Sequence, residues 1–282
     1  MRTLLPLFLL FSFTLNAKTL KGKIESVDQG FEDKPHLIFV DTGVVLFLDT
    51  NKDKLFKSIL ESKKTNKMIQ FEVDQNQNLL SMMTIRDVRP LSETNFTSLY
   101  SVPYYPSIVE DVGAAFKIMQ RMRADYREDQ GQCYNMAHVW AYEEFKRSDL
   151  HSMKLFMFFT TKYVREYRYT WWFHATPLVY VDEITKVAKM TLDRRYTAQP
   201  NYIKDWTDYF IKSKRECKLV KKLAQVNRDA KVEDCYLIET DMHILHTRDI
   251  RSRDQGQTLK EGFISTEVEY ARTEAFKGGP SN

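Results

Sequence analysis

The sequence predicts an α+β protein in two parts, a small β-rich unit and a larger unit in which helices precede an antiparallel sheet. Three observations carry this reading. Residues 18–90 hold five strand-like apolar runs around one short amphipathic helix. Prolines at 90, 103 and 106 punctuate a stretch without strong periodicity, 91–106. Beyond it, two helical patterns give way to aromatic-rich strands. With 43% hydrophobic residues, 9 Gly and 8 Pro among 282, the chain is neither mainly disordered nor collagen-like.

In the first unit the strand runs are 20–27, 36–41, 44–48, 68–73 and 79–88. A helix is expected over 53–62, with Leu55, Phe56, Ile59 and Leu60 on one face. Asp41-Thr42-Gly43 and residues 75–78 supply turns. The order β-β-β-α-β-β suits a small OB-like barrel. Oligonucleotide binding needs a basic, aromatic strand face, and this unit offers a mixture of charges instead. The whole chain carries a net charge of only +4, from 42 Lys+Arg against 38 Asp+Glu. Its densest basic stretch, 212–222, also contains Glu216 and no aromatic residue, so no nucleic-acid partner is expected.

The second unit, 107–282, opens with a helix over 107–123 and a polar turn over 125–132. A second helix follows over 133–146. Strands are expected at 153–160, 163–169, 171–181 and 186–192, then a helix at 202–213, a strand at 236–239 and a last helix at 267–276.

The N-terminus gives the expected compartment. Met1-Arg2, an apolar run over 4–15 and Asn16-Ala17-Lys18 form the pattern of a signal peptide, 1–17. The run is shorter than the ~20 residues that span a bilayer. The mature chain is expected to be secreted or periplasmic, with no stable membrane insertion. The triplet Asn95-Phe96-Thr97 matches a glycosylation acceptor, a pattern common by chance. In an oxidising compartment Cys217 and Cys235 are expected to be bonded, closing a polar loop for roughly 3 kcal/mol. Cys133 is then left over, as a reactive thiol, an intermolecular bridge or an inert buried thiol.

Cys133 sits where the polar turn Asp129-Gln130-Gly131-Gln132 meets a helix start, and the unpaired N–H groups there favour a thiolate. A Cys nucleophile needs a base, and the base an orienting partner. His36 lies in the other unit. His138 lies on the same helix but about 140° around and nearly two turns along, so it reads as a packing or surface residue. His151 follows a turn. His243 and His246 lack partners at familiar zinc spacing, and no metal site is expected. His174 is embedded in the strong strand 171–181. A hairpin turn centred between Glu183 and Ile184 brings position 174 opposite Asp193, within reach of the imidazole. Without Cys133, an incidental polar pair at a sheet edge would be the better reading of His174 and Asp193. Trp171, Trp172 and Tyr134 are candidate walls of the substrate site, although strand aromatics more often serve the core.

A helix-borne Cys followed by strand-borne His and Asp is the chain order of papain-like and transglutaminase-like enzymes. Three blocks sharpen this: Gln132-Cys133-Tyr134-Asn135-Met136-Ala137-His138, then Trp172-Phe173-His174-Ala175, then Leu192-Asp193. Together they resemble the bacterial protein-glutamine glutaminases, over roughly 107–276. The chain differs in its basic Asp193-Arg194-Arg195, and its N-terminal unit shows no match to that family's pro-segment. The resemblance implies a papain/transglutaminase-like catalytic domain that deamidates glutamine side chains of proteins or peptides without a cofactor. In it, Cys133 would be the nucleophile, His174 the acid–base and Asp193 the orienting group. Two other readings use the same residues: acyl transfer to an amine, as in a transglutaminase, and a non-catalytic exported binding protein. A cysteine peptidase fits the three blocks less well. The N-terminal unit is expected to cover the cleft and restrain activity until displaced.

Overall fold

A computed structural model describes residues 17–30, 33–87, 104–127, 132–256 and 263–277. Nearly all of the expected signal peptide, the Asn95 triplet, most of the 91–106 linker and the turn residues 129–131 lie outside the described residues.

The N-terminal β-rich region comprises β1 (Lys18–Gly22), β2 (Ile24–Asp28), β3 (His36–Val40), β4 (Val45–Leu48), α1 (Asp53–Thr65), β5 (Ile69–Val73) and β6 (Leu79–Thr84). They form two three-stranded antiparallel sheets, β1-β5-β6 and β2-β3-β4. The single strand expected over 20–27 is broken at Lys23, and its halves serve different sheets. Asp41 holds the break. Its N–H donates to the Lys23 carbonyl at 2.9 Å, and its Oδ1 accepts from the Lys23 N–H at 2.8 Å. A lone parallel bridge, Phe47 to Asn78, links the second sheet towards β6.

β3 and β4 are buried on both faces. Ile38, Val40, Leu46 and Leu48 pack with Ile59 and Phe71 inside the β-rich region. The alternate residues, Leu37, Phe39, Val45 and Phe47, join the core of the region that follows. This is the period-2 rule of a strand with two covered faces. At ~1.5–3 kcal/mol for each large side chain removed from water, these four residues bind the two regions firmly.

The second region comprises β7 (Ile108–Val109), α2 (Val112–Arg121), α3 (Cys133–Ser148), β8 (Met153–Phe159), α4 (Thr161–Tyr167), β9 (Phe173–Asp182), β10 (Val187–Thr191), β11 (Asn201–Tyr202), α5 (Ile203–Phe210), β12 (Lys218–Leu219), β13 (Cys235–Asp241), α6 (Thr247–Asp254) and α7 (Ser265–Ala275). Among the described residues its sheet has seven strands, in the order β11-β10-β9-β8-β13-β12 with β7 beside β9. The sheet is mixed rather than antiparallel, because the short strands β7 and β12 run parallel to β9 and β13. α3 packs across β9 and against α7.

The strand expected at 163–169 is instead helix α4. Thr160 caps it, its hydroxyl accepting from the Tyr163 N–H, and Arg168 ends it in the left-handed region at φ 48°. The helix expected from 107 starts at Val112, where Asp111 accepts from the Ala114 N–H at 2.7 Å. Cys217 and Cys235 are disulfide-bonded, as expected from the compartment reading. Among the described residues, no helix is long and apolar enough to cross a membrane.

Candidate active site

Cys133 is the first residue of α3 and is 7% exposed. Gln132 is the cap, and its carbonyl accepts from the Met136 N–H at 2.9 Å. The Cys133 N–H is therefore among the donors that the helix itself leaves without a partner.

His174 lies on β9, paired across to Met157 of β8, with 1% of its surface exposed. Its Nε2 is 2.6 Å from Asp193 Oδ2. The other ring nitrogen, Nδ1, is the one left for Cys133, with which His174 also shares a side-chain hydrogen bond. Trp206 Nε1, on α5, donates to the same Asp193 oxygen at 2.8 Å and fixes the carboxylate. Trp171 and Trp206 stack on the imidazole, with centroids at 5.7 and 5.6 Å, and the Tyr196 ring stands edge-on at 5.2 Å. Burial alone would lower the His174 pKa. The charge and hydrogen bond of Asp193, followed by those of Cys133, outweigh it and raise the pKa to about 9. The imidazolium is thus the favoured form at neutral pH.

The hairpin reaches this arrangement by another register than expected. Val181 pairs with Ala188, so the turn is centred between Ile184 and Thr185, with Ile184 at φ 65°. Carried on, that register would set position 174 against Arg195. Pairing ends first: after Thr191 the chain turns, and the Asp193 carbonyl accepts from the N–H groups of Tyr196 and Thr197. The Asp193 side chain returns to His174 from this turn, not from a strand position. The bend after Thr191, and not the strand register, is what brings the expected pair together.

A small cavity beside the thiol is lined by Gln132, Cys133, Met136, Trp171, Phe173, His174, Arg195 and Tyr196, and by Thr42 and Gly43 of the N-terminal region. Trp171 is the one predicted wall residue on it. Trp172 and Tyr134 lie in the core at 3% and 4% exposure and do not line the cavity. Trp172 donates through Nε1 to the Val40 carbonyl at 2.6 Å, and Tyr134 packs on Phe173 and His246. Sequence reading missed Gln132, Arg195, Tyr196 and Trp206. Only Gln132 had a signal, its place next to Cys133. His138 is buried, with Nδ1 2.7 Å from Lys154 Nζ, away from the thiol. His246 donates through Nε2 to the Asp41 carbonyl at 2.6 Å. Among the described residues, no cluster of three or more His, Cys, Asp or Glu is arranged to hold a metal ion.

The β3–β4 turn is seated on this site. The Trp172 N–H donates to the Gly43 carbonyl and the Val45 N–H to the Thr170 carbonyl, both at 2.8 Å, so Val44 bridges Trp171 in antiparallel fashion. Gly43 has φ 95°, and a Cβ there would meet the Phe173 ring at 3.2 Å. Around the turn, Arg165 binds Asp28, Arg251 binds Glu25, and Arg228 donates to Ser26 while lying over Phe39 and Trp172.

Residues 109–210, which include Cys133, His174 and Asp193, match the family described as Glutaminase, Gln_deamidase_2. No curated protein matches the chain. The crystal structure of a pro-protein-glutaminase is similar in fold, with a TM-score of 0.51 at 12% identity, covering 90% of this chain and 93% of that one. The NMR structure of the protein-glutaminase from Chryseobacterium proteolyticum has a TM-score of 0.38 at 12% identity, covering 60% of this chain and 89% of that one. The first likeness extends over both regions, so the N-terminal unit shares in the fold despite showing no sequence match. Residues 109–210 thus resemble the Glutaminase family, and the fold over both regions is similar to that of pro-protein-glutaminase.

Proposed function

We propose that this chain is an exported protein-glutamine deamidase whose nucleophile is Cys133. The observation that carries the reading is the convergence of a helix-start thiol, His174 and Asp193, with Nε2 to Oδ2 at 2.6 Å and Cys133 on the other side of the ring. The Cys133 thiolate attacks the γ-carboxamide carbon of a glutamine side chain. The imidazolium of His174 protonates the departing nitrogen, and ammonia leaves a thioester. His174, now neutral, takes a proton from water as its oxygen attacks the thioester. The C–S bond breaks, releasing glutamate and restoring the thiolate–imidazolium pair. Asp193, held by Trp206, keeps the ring oriented throughout. Trp171 forms one wall for the side chain. No step calls for a cofactor.

The N-terminal region restrains this activity in the intact chain. Support comes from Thr42 and Gly43 on the cavity and from the backbone pairing of residues 43–45 with 170–172. Strand order β2-β3-β4, the Phe47–Asn78 bridge and β6-β5-β1 favour reading this region as an OB-like barrel and 107–282 as a separate catalytic domain. The signal-like N-terminus supports a secreted or periplasmic location.

Ammonia release from casein tests the proposal, with the intact chain and the chain nicked by limited proteolysis assayed beside Cys133→Ala. Cys133-dependent ammonia with a gain of about one dalton per converted glutamine is expected, greater after nicking. Amine adducts in place of glutamate would make the chain a transglutaminase. Silence from both forms would favour the binding-protein reading.

A further inference from the structure

Asp193 reaches His174 from a bend, so strand pairing does not fix where its carboxylate stands. The bend's own hydrogen bonds set its shape. The Asp193 carbonyl accepts from the Tyr196 and Thr197 N–H groups, and from the Thr197 hydroxyl at 3.1 Å. These bonds stay within the bend and do not tie it to its surroundings. We infer that Arg194 supplies that tie, as a positioning residue that keeps Asp193 on His174 by anchoring the bend to the end of α2. The inference rests on the deamidase reading for its consequence in turnover, and it adds a residue that touches no reacting atom.

Arg194 is the neighbour of the carboxylate in sequence and is half-buried. Its Nη1 donates to the Met119 carbonyl at 3.1 Å and to the Gln120 carbonyl, and it shares a side-chain hydrogen bond with Tyr126. Met119 and Gln120 lie in the last turn of α2, where carbonyls lack helical N–H partners and form the negative end of the helix dipole. A guanidinium matches that end and keeps its charge throughout the working pH range. α2 in turn packs on β9, the strand of His174. Asp193 and His174 are thus joined twice, directly at 2.6 Å and around through Arg194, α2 and β9. Trp206 orients the carboxylate, and Arg194 places the backbone that carries it. A shift of ~1 Å in a catalytic pair can cost ~10²-fold in rate, which gives such an anchor its leverage.

The test uses the full-length protein with Arg194→Met and Arg194→Lys, and with Arg194→Met also made in an Asp193→Asn background. Met keeps an apolar stem and removes the donors, whereas Lys keeps a cation able to bond helix-end carbonyls. The first readout is an NMR titration of the His174 imidazole, which needs no turnover. Around that ring stand Asp193, Cys133 and Tyr196, with Arg195 on the cavity wall. Removing a nearby positive charge would by itself raise the His174 midpoint, so a fall reports a displaced carboxylate. We expect a fall of about half a pH unit or more in Arg194→Met, most of it restored in Arg194→Lys. In the Asp193→Asn background Arg194→Met should give no further fall, because a residue acting through Asp193 has nothing left to act on. After nicking between the regions, kcat for ammonia release should fall ~10-fold in Arg194→Met, with KM within about threefold. A purely structural role would lower the urea midpoint of Arg194→Met and leave the His174 titration in place, and that result overturns the assignment. So does a Lys variant as impaired as Met, or an equal fall with and without the Asp193 carboxylate. Wild type without turnover would remove the deamidase reading while the titration still decides the role of Arg194. An active wild type with an unmoved titration in Arg194→Met overturns the assignment alone.

Discussion

The N–H of Trp172 donates to the carbonyl of Gly43 at 2.8 Å, two residues before His174 on the chain. The segment that leads into the histidine-bearing strand is thus also the segment that receives the N-terminal region. Covering the site and building it use the same stretch of backbone. Leu37, Phe39, Val45 and Phe47 add apolar burial to that pairing, and Arg165, Arg228 and Arg251 ring it with polar contacts.

Gly43→Ala should loosen this seat. The backbone there is left-handed at φ 95°, and the new Cβ meets the Phe173 ring at 3.2 Å. Each effect opposes the docked state, together by about 1 kcal/mol or more. The intact variant should release ammonia from casein about fivefold faster than intact wild type, while the nicked forms should be equal. Equal rates for the two intact proteins would show that the turn does not restrain the site.

Deamidation should depend on the protonated form of His174. Its pKa is raised to about 9, because Asp193 and Cys133 outweigh burial. The proton for ammonia is therefore present at neutral pH and lost as pH rises through about 9. Asp193→Asn removes the main raising influence, so its alkaline limb should move to lower pH and kcat should fall ~10²–10⁴-fold. A kcat–pH profile of the nicked protein reads both. An unmoved alkaline limb would mean that another group titrates there.

The elements that sequence alone revealed are those whose signals are local. α3, β8, β9 and β10 follow from periodicity and from one turn, and Cys133 with His174 stood out because residue type and position agreed. The failures have physical causes. Residues 163–169 look like a strand because Tyr163, Tyr167 and Tyr169 alternate, yet Thr160 caps a helix there and tertiary contacts overrode β-propensity. α6 was missed because it has no apolar stripe, although His246 and Asp249 form a capping box at its start. Asp193 was found through a register two residues out, and the bend after Thr191 makes the contact that strand pairing does not. Trp206 and Tyr196 reach His174 from separate loops and helices, and no spacing rule links them to it. The solid apolar runs at 36–40 and 45–48 did carry a message: strands without alternation are covered on both faces, here by their own core and by the neighbouring region.

The disulfide closes the loop that carries Arg228, whose guanidinium lies between Phe39 and Trp172 where the regions meet. Replacing Cys217 and Cys235 by Ser should lower the urea stability by ~2–4 kcal/mol. Because Arg228 sits at the interface, limited proteolysis of the double variant should also separate the two regions more readily. A variant with wild-type midpoint and wild-type proteolysis would show that the loop is held by its packing alone.

Lys154 and His174 should leave opposite marks on stability. Lys154 is fully buried, with Nζ 2.7 Å from His138 Nδ1 and 2.6 Å from the Ile244 carbonyl. Burial lowers its pKa from 10.5 to about 7, against the raising charges of Asp241, Asp249 and Glu267. Between about 7 and 10.5 the unfolded chain binds this proton and the folded chain does not, so this group makes stability rise with pH. For His174 the folded chain keeps its proton from 6.5 up to about 9, and its stabilisation is lost as pH rises through that window. The two slopes, each at most about 1.4 kcal/mol per pH unit, overlap between about 7 and 9 and oppose one another there. Wild type should therefore show a shallow pH dependence of its urea midpoint in that window. Lys154→Met lowers stability overall by unpairing two acceptors, and should leave the falling slope of His174 exposed. Asp193→Asn should do the reverse, and its midpoint should rise from pH 7 to 9. Urea titrations at half-unit intervals decide this, and two variants that run parallel to wild type would remove the opposition.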